Sequence, residues 1–86
     1  MPEICRFLGI VISMYYTEHT PPHFHAKYGE YRASFSIQDL AVIEGQLPKR
    51  VTSLVLEWAF EHRIELMGDW ELAQKHEELK KIPPLV

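Results

Sequence analysis

The sequence predicts an α+β domain: a small antiparallel sheet of three or four strands, followed by one long helix and a short second helix packed on one face. Three observations carry this. The first half holds apolar runs at strand period, separated by turn residues. From Pro48 the apolar spacing becomes helical. Strands come first and helices after, the order that segregates helices to one face of an antiparallel sheet.

"RFLGIVISMYY", residues 6–16, reads as one strand. Its even positions, Leu8, Ile10, Ile12, Met14 and Tyr16, are all apolar or aromatic and are expected in the core. Its odd positions, Phe7, Gly9, Val11, Ser13 and Tyr15, are mixed and face the other way. "TEHTPP" then breaks regularity. The next two strands meet at Gly29-Glu30, a Gly-X loop that signals a type II′ hairpin turn. That turn sets the register. Tyr28 faces Tyr31, Lys27 faces Arg32, Ala26 faces Ala33, His25 faces Ser34, Phe24 faces Phe35 and His23 faces Ser36. Phe24, Ala26, Tyr28, Tyr31, Ala33, Phe35 and Ile37 then share one face. His23, His25, Lys27, Arg32, Ser34 and Ser36 share the other. "LAVIEG", residues 40–45, is a short fourth strand.

In "PKRVTSLVLEWAFEHRIELM", Val51, Leu54, Val55, Trp58, His62 and Leu66 form one stripe of a helix. Proline suits its first turn. Gly68 is expected to end it, and Asp69 to cap the short "WELAQKH" helix. Residues 77–86 form an extended C-terminal tail, frayed rather than partner-binding, on a single domain spanning 1–86.

Composition bounds the function. Of 86 residues, 47% are hydrophobic, which is globular and not disordered. No apolar run approaches the ~18 residues of a membrane span. No signal peptide is visible, and Cys5 is the only cysteine, so a reducing, cytoplasmic location is expected. Cys5 has no base beside it and reads as a buried, inert thiol. The net charge of −3 opposes nonspecific nucleic-acid binding over the whole surface but leaves room for a local basic patch.

Two site readings follow from the polar hairpin face. His23 and His25 lie on one side of a strand about 7 Å apart, a spacing that suits metal ligands. His19 in the adjoining loop is the third candidate ligand, for zinc or nickel. His62 is on the helical stripe and belongs to the opposite side. The leading reading needs no cofactor. Lys27 and Arg32, with His23, His25, Ser34 and Ser36, make a cationic, donor-rich strip for which phosphate is the natural ligand. Lys49 and Arg50, in the first helical turn, extend it. The plain alternative is a solvated face. Glu57, Glu61 and Glu65 also read as a solvated helix face.

If the even set of the first strand joins the core, Phe7, Val11 and Tyr15 lie on the histidine face. Leu56, Phe60, Ile64 and Met67 lie off the helical stripe. Both sets ask for a further surface, supplied by a homodimer or by another protein. In a monomer, "IPPLV" would cover one of them.

"MPEICRFLGIVISMYY", "HTPPHFHAKYGEYRASFSI", "LPKRVTSLVLEWAFEHRIELMGDWELA" and "KKIPPL" together resemble the small prokaryotic domain-of-unknown-function family numbered four thousand one hundred and sixty. The resemblance covers nearly the whole chain and carries over no catalytic residue. It implies a gene context: pairing with the product of a neighbouring small gene, of the family numbered two thousand four hundred and forty-two, in toxin–antitoxin-like modules. The combined expectation is a small cytosolic binding module from such a pair, meeting nucleic acid or an acidic protein through its hairpin face and touching no membrane. The alternative is a metal-dependent hydrolase or nuclease built on the His-x-His strand.

Overall fold

The computed structural model describes residues 2–86. Five antiparallel strands form a meander in the order β1 (Glu3–Phe7), β2 (Ile10–Ser13), β3 (His23–Tyr28), β4 (Tyr31–Ser36) and β5 (Ala41–Gln46). Two helices follow, α1 (Lys49–Glu61) and α2 (Arg63–Gln74). The α+β class holds, with five strands rather than three or four.

The fifth strand comes from the first. The expected single strand over residues 6–16 folds back on itself at Leu8-Gly9, with φ of 50° and 78°. Two positive φ angles in a two-residue loop are what a type I′ hairpin turn demands. Glycine adopts them freely, whereas leucine rarely does. The turn reverses the parity expected of β1. Phe7 pairs with Ile10 and is buried in the core, not on the histidine face. Leu8, expected in the core, stands at the turn tip with 56% exposure. Arg6 pairs with Val11.

The β3–β4 hairpin has the register predicted from its turn, at all six pairs. Gly29 has φ 59°. Phe24 and Phe35 stack 5.3 Å apart on the core face. β5 carries a bulge opposite Ser34–Phe35. At Gly45, φ is 78°, and a Cβ would lie 2.3 Å from the Arg32 carbonyl oxygen. Only glycine lets the two backbones approach this closely.

The helical layer covers the Phe24 face. Trp58 sits at its centre, fully buried, with the rings of Phe7 and Phe24 each 5.9 Å away. The expected long helix breaks at His62, where φ is −121° and ψ 28°, and α2 then runs straight through Gly68. The stop comes later, in a Schellman arrangement. His76 takes φ 58° and its N–H donates to the Ala73 carbonyl, while the Glu77 N–H donates to that of Leu72. Asp69 therefore caps nothing. It is buried within α2, and its Oδ1 accepts the Lys80 N–H at 2.9 Å.

The C-terminal tail is strapped down rather than frayed. The Ile82 N–H donates to the Ile4 carbonyl at 2.8 Å, and the Trp58 indole N–H donates to the Pro83 carbonyl at 2.8 Å. Ile82 is buried. Helices and tail thus cover the Phe24 side, and the side carrying Lys27 and Arg32 stays open, with only Trp70 of α2 reaching round to His23. Among the described residues, no helix is long and apolar enough to cross a membrane.

Candidate functional site

The antiparallel pairings arrange the open face as rows across the sheet. One row runs Arg6, Val11, Lys27, Arg32, Gln46 from β1 to β5. The next, about 7 Å along the strands, runs Glu3, Ser13, His25, Ser34, Glu44. These two rows, apart from Gln46 and together with Tyr15, line a groove of about 520 Å³. That is within the ~300–1,000 Å³ range of small-molecule sites.

Charge in the groove is unevenly committed. Arg6 donates to Glu3 through Nη2 at 2.8 Å and Nε at 3.1 Å. Those bonds hold the Glu3 carboxyl below its usual range and raise the Arg6 guanidinium. Among the described residues, neither Lys27 nor Arg32 has a salt-bridge partner, although they lie opposite each other. Two like charges thus face each other across one rung.

His25 borders both the groove and a second cluster. The nine-residue segment between β2 and β3 is pinned to the end of α2. The Thr17 N–H donates to the Ala73 carbonyl at 3.4 Å, Gln74 Nε2 donates to the Glu18 carbonyl at 3.2 Å, and Tyr16 stacks on His76. This pinning turns the Glu18 carboxylate toward the start of β3. Its Oε1 lies 2.8 Å from His25 Nε2 and 3.2 Å from His23 Nε2. The other ring nitrogens also have partners: His23 Nδ1 meets the Pro21 carbonyl at 2.7 Å, and His25 Nδ1 meets the Ser34 hydroxyl at 3.1 Å. Aromatic rings fix both imidazoles. Tyr15 packs edge-on to His25 at 4.5 Å, and Trp70 lies 5.3 Å from His23. Three ligand-type atoms, one each from Glu18, His23 and His25, lie within 4.8 Å of one another.

The residues marked in the sequence divide accordingly. His25, Lys27, Arg32 and Ser34 line the groove, and His23 joins the adjoining cluster. Ser36 is buried, and its hydroxyl accepts the Asp39 N–H of the following turn, a structural task. Lys49 and Arg50 are exposed at the start of α1 and do not line the groove. The candidate metal set changes by one member. Exposed His19 stands outside it, and Glu18 takes that place. His62 stays with the helical layer, beside Trp58 and bonded to Glu65. Burial pushes the Cys5 thiol up, consistent with an inert side chain.

Sequence reasoning missed Glu18, Arg6, Ser13, Glu44 and Glu3. Arg6 and Glu3 follow once Leu8-Gly9 is taken as a turn, because that fold brings β1 into the rows; Ser13 and Glu44 follow from the pairing of β2 and β5 with the hairpin. Glu18 had no local signal.

The family model for a domain of unknown function, DUF4160, matches residues 9–71, and the chain belongs to that family. Neither a curated protein nor a solved structure matches the chain.

Proposed function

We propose that this member of DUF4160 is a small binding module whose open sheet face holds phosphate-bearing ligands, with nucleic acid as the partner. One observation carries the reading: Lys27 and Arg32 stand uncommitted and side by side in a groove bordered by Ser13, His25 and Ser34. Like charges opposed across a rung destabilise a sheet by a few tenths of a kcal/mol or more. An anion bridging them removes that cost and takes hydrogen bonds from the neighbouring donors. Phosphate fits an Arg fork beside a Lys point charge better than a single carboxylate does. The chain's net charge of −3 confines attraction to this face.

Fluorescence anisotropy with labelled single-stranded and duplex oligonucleotides tests this. Two phosphate contacts give a slope of log K against log salt of roughly −1.4 for single strands and −1.8 for duplex. Lys27→Glu with Arg32→Glu abolishes binding. Binding that ignores both the salt and the double substitution rejects the site.

The pairing implied by the family resemblance belongs to the same reading. Phe60 and Ile64, 68% and 89% exposed at the corner between the helices, offer the product of a neighbouring small gene an apolar contact remote from the groove. Co-purification of the two proteins, lost on Phe60→Glu with Ile64→Glu, checks it. A second copy of the chain on that corner would show instead as a dimer by light scattering.

A further inference from the structure

We propose that Glu18, His23 and His25 form a binding site for one divalent transition-metal ion of the zinc class. The inference does not rest on the anion-binding reading.

The hydrogen on the His23 ring is placed by its Nδ1 partner. Its Nδ1 lies 2.7 Å from the Pro21 carbonyl oxygen, which only accepts hydrogen bonds. Nδ1 therefore carries the hydrogen. In the neutral ring, Nε2 then presents a lone pair, and it points at Glu18 Oε1, 3.2 Å away. A lone pair facing a carboxylate oxygen is repulsive unless positive charge lies between them. A second proton would supply that charge for this one contact. A metal ion would supply that charge and at the same time engage His25 Nε2, which converges on the same carboxylate oxygen. Both distal nitrogens are held by partners outside the cluster.

Those outer contacts are the ones a metal site uses. A ligating imidazole usually donates its other N–H to a carbonyl or another acceptor, which fixes ring orientation and tautomer. The Pro21 carbonyl does this for His23. Ser34 serves His25 in either tautomer, because a hydroxyl both donates and accepts. Trp70 and Tyr15 pack the two rings, and the side chains of His23, Glu18 and His25 are 14%, 24% and 25% exposed. The set is thus half-buried, held from several directions and still open to solvent.

The donor chemistry selects the ion. Two imidazole nitrogens and one carboxylate oxygen suit zinc, iron(II), nickel or copper, while magnesium and calcium prefer all-oxygen shells. Three protein ligands leave at least one coordination position for water or an exogenous oxygen, as in catalytic rather than structural zinc sites. Because His25 also borders the groove, an ion held there would lie next to it.

The test uses untagged full-length protein in chelator-free buffer without nucleic acid, titrated calorimetrically with zinc chloride. One zinc per chain is expected. Glu18→Gln, His23→Ala and His25→Ala each weaken binding at least tenfold, and His19→Ala binds as the parent does. Glu18→Gln sits in a loop and keeps the side-chain size, so it separates ligand loss from unfolding, which far-UV circular dichroism monitors. Cobalt(II) gives the independent readout: d–d absorption bands in the parent, absent in Glu18→Gln and not displaced by equimolar magnesium. A folded parent that shows neither zinc heat nor cobalt bands overturns the site and leaves a protonated histidine as the answer. Zinc binding of parental strength in Glu18→Gln, or its loss in His19→Ala, overturns the ligand set.

Discussion

The C-terminal strap makes a sharp quantitative test in Ile82→Ala. Ile82 is 4% exposed, held by the bond from its N–H to Ile4 and flanked by the Trp58–Pro83 bond. A buried isoleucine cut to alanine costs about 2–5 kcal/mol, and the low end applies where the neighbours can collapse. The strap is such a place, because it is an extended segment outside the sheet and helices. The expected loss is therefore about 2 kcal/mol. A domain of this length is stable by roughly 4–13 kcal/mol, so the loss is a large share of the total. With a urea slope near 1 kcal/mol/M for so small a protein, the unfolding midpoint falls by about 2 M. Val86→Ala is the control, since Val86 is 77% exposed and such surface changes stay within about 0.5 kcal/mol. Thiol labelling gives a second readout. Cys5, adjacent to the strand residue the strap binds, is 5% exposed and should label faster in the Ile82 variant. If Ile82→Ala moves the midpoint no further than Val86→Ala, the tail is frayed and the reasoning fails.

Two further outcomes follow from charges placed against stability. Burial raises the Asp69 carboxyl above its ordinary 3.8, so the folded chain holds that proton more tightly than the unfolded chain. Its stabilising contribution is fully present below 3.8 and is lost as pH rises through the raised folded value. Asp69→Asn removes the ionisation, so the variant's Tm gains on the parent's across the acidic range above 3.8, and parallel Tm–pH curves would contradict this. Lys27→Glu replaces a like-charged rung with an opposite-charged one facing Arg32, and should stabilise the free protein by about 0.2–1 kcal/mol while weakening oligonucleotide binding. Destabilisation in urea would show that Lys27 has a structural partner after all.

The parts of the fold legible in the sequence are those where two local signals agree. At the β3–β4 hairpin, a Gly-X turn and clean alternation on both sides specify the same register, and a slip of one residue would have turned Phe24 and Phe35 to solvent. At Leu8-Gly9 only one signal is present. The first turn position holds leucine instead of the asparagine, aspartate or glycine that positive φ favours, so an apolar run passes through the turn without a visible break. That single misreading moved Phe7 to the wrong face and hid Arg6 and Glu3 from the groove. The break at His62 was masked for a related reason. The apolar stripe continues from Trp58 to Leu66 on both sides of it, and periodicity reports faces, not backbone angles.

Glu18 shows where local reading stops. It lies in "TEHTPP", where each residue is an ordinary loop residue, and nothing in the spacing favours it over His19. Its position is set by Gln74, 56 residues further along, and by the Thr17 contact to the same end of α2. The two histidines were visible because β3 alone puts them side by side. The third member of the cluster was not, because only the docking of α2 against the loop decides which side chain turns inward. The two halves of the site therefore depend on different parts of the fold. The groove needs only the sheet, through the rungs that set Lys27 beside Arg32. The cluster needs sheet and helix together. A loosened α2 would release Glu18 while leaving the cationic row intact, so the ligand set is the part of the open face tied to the packing on the other side.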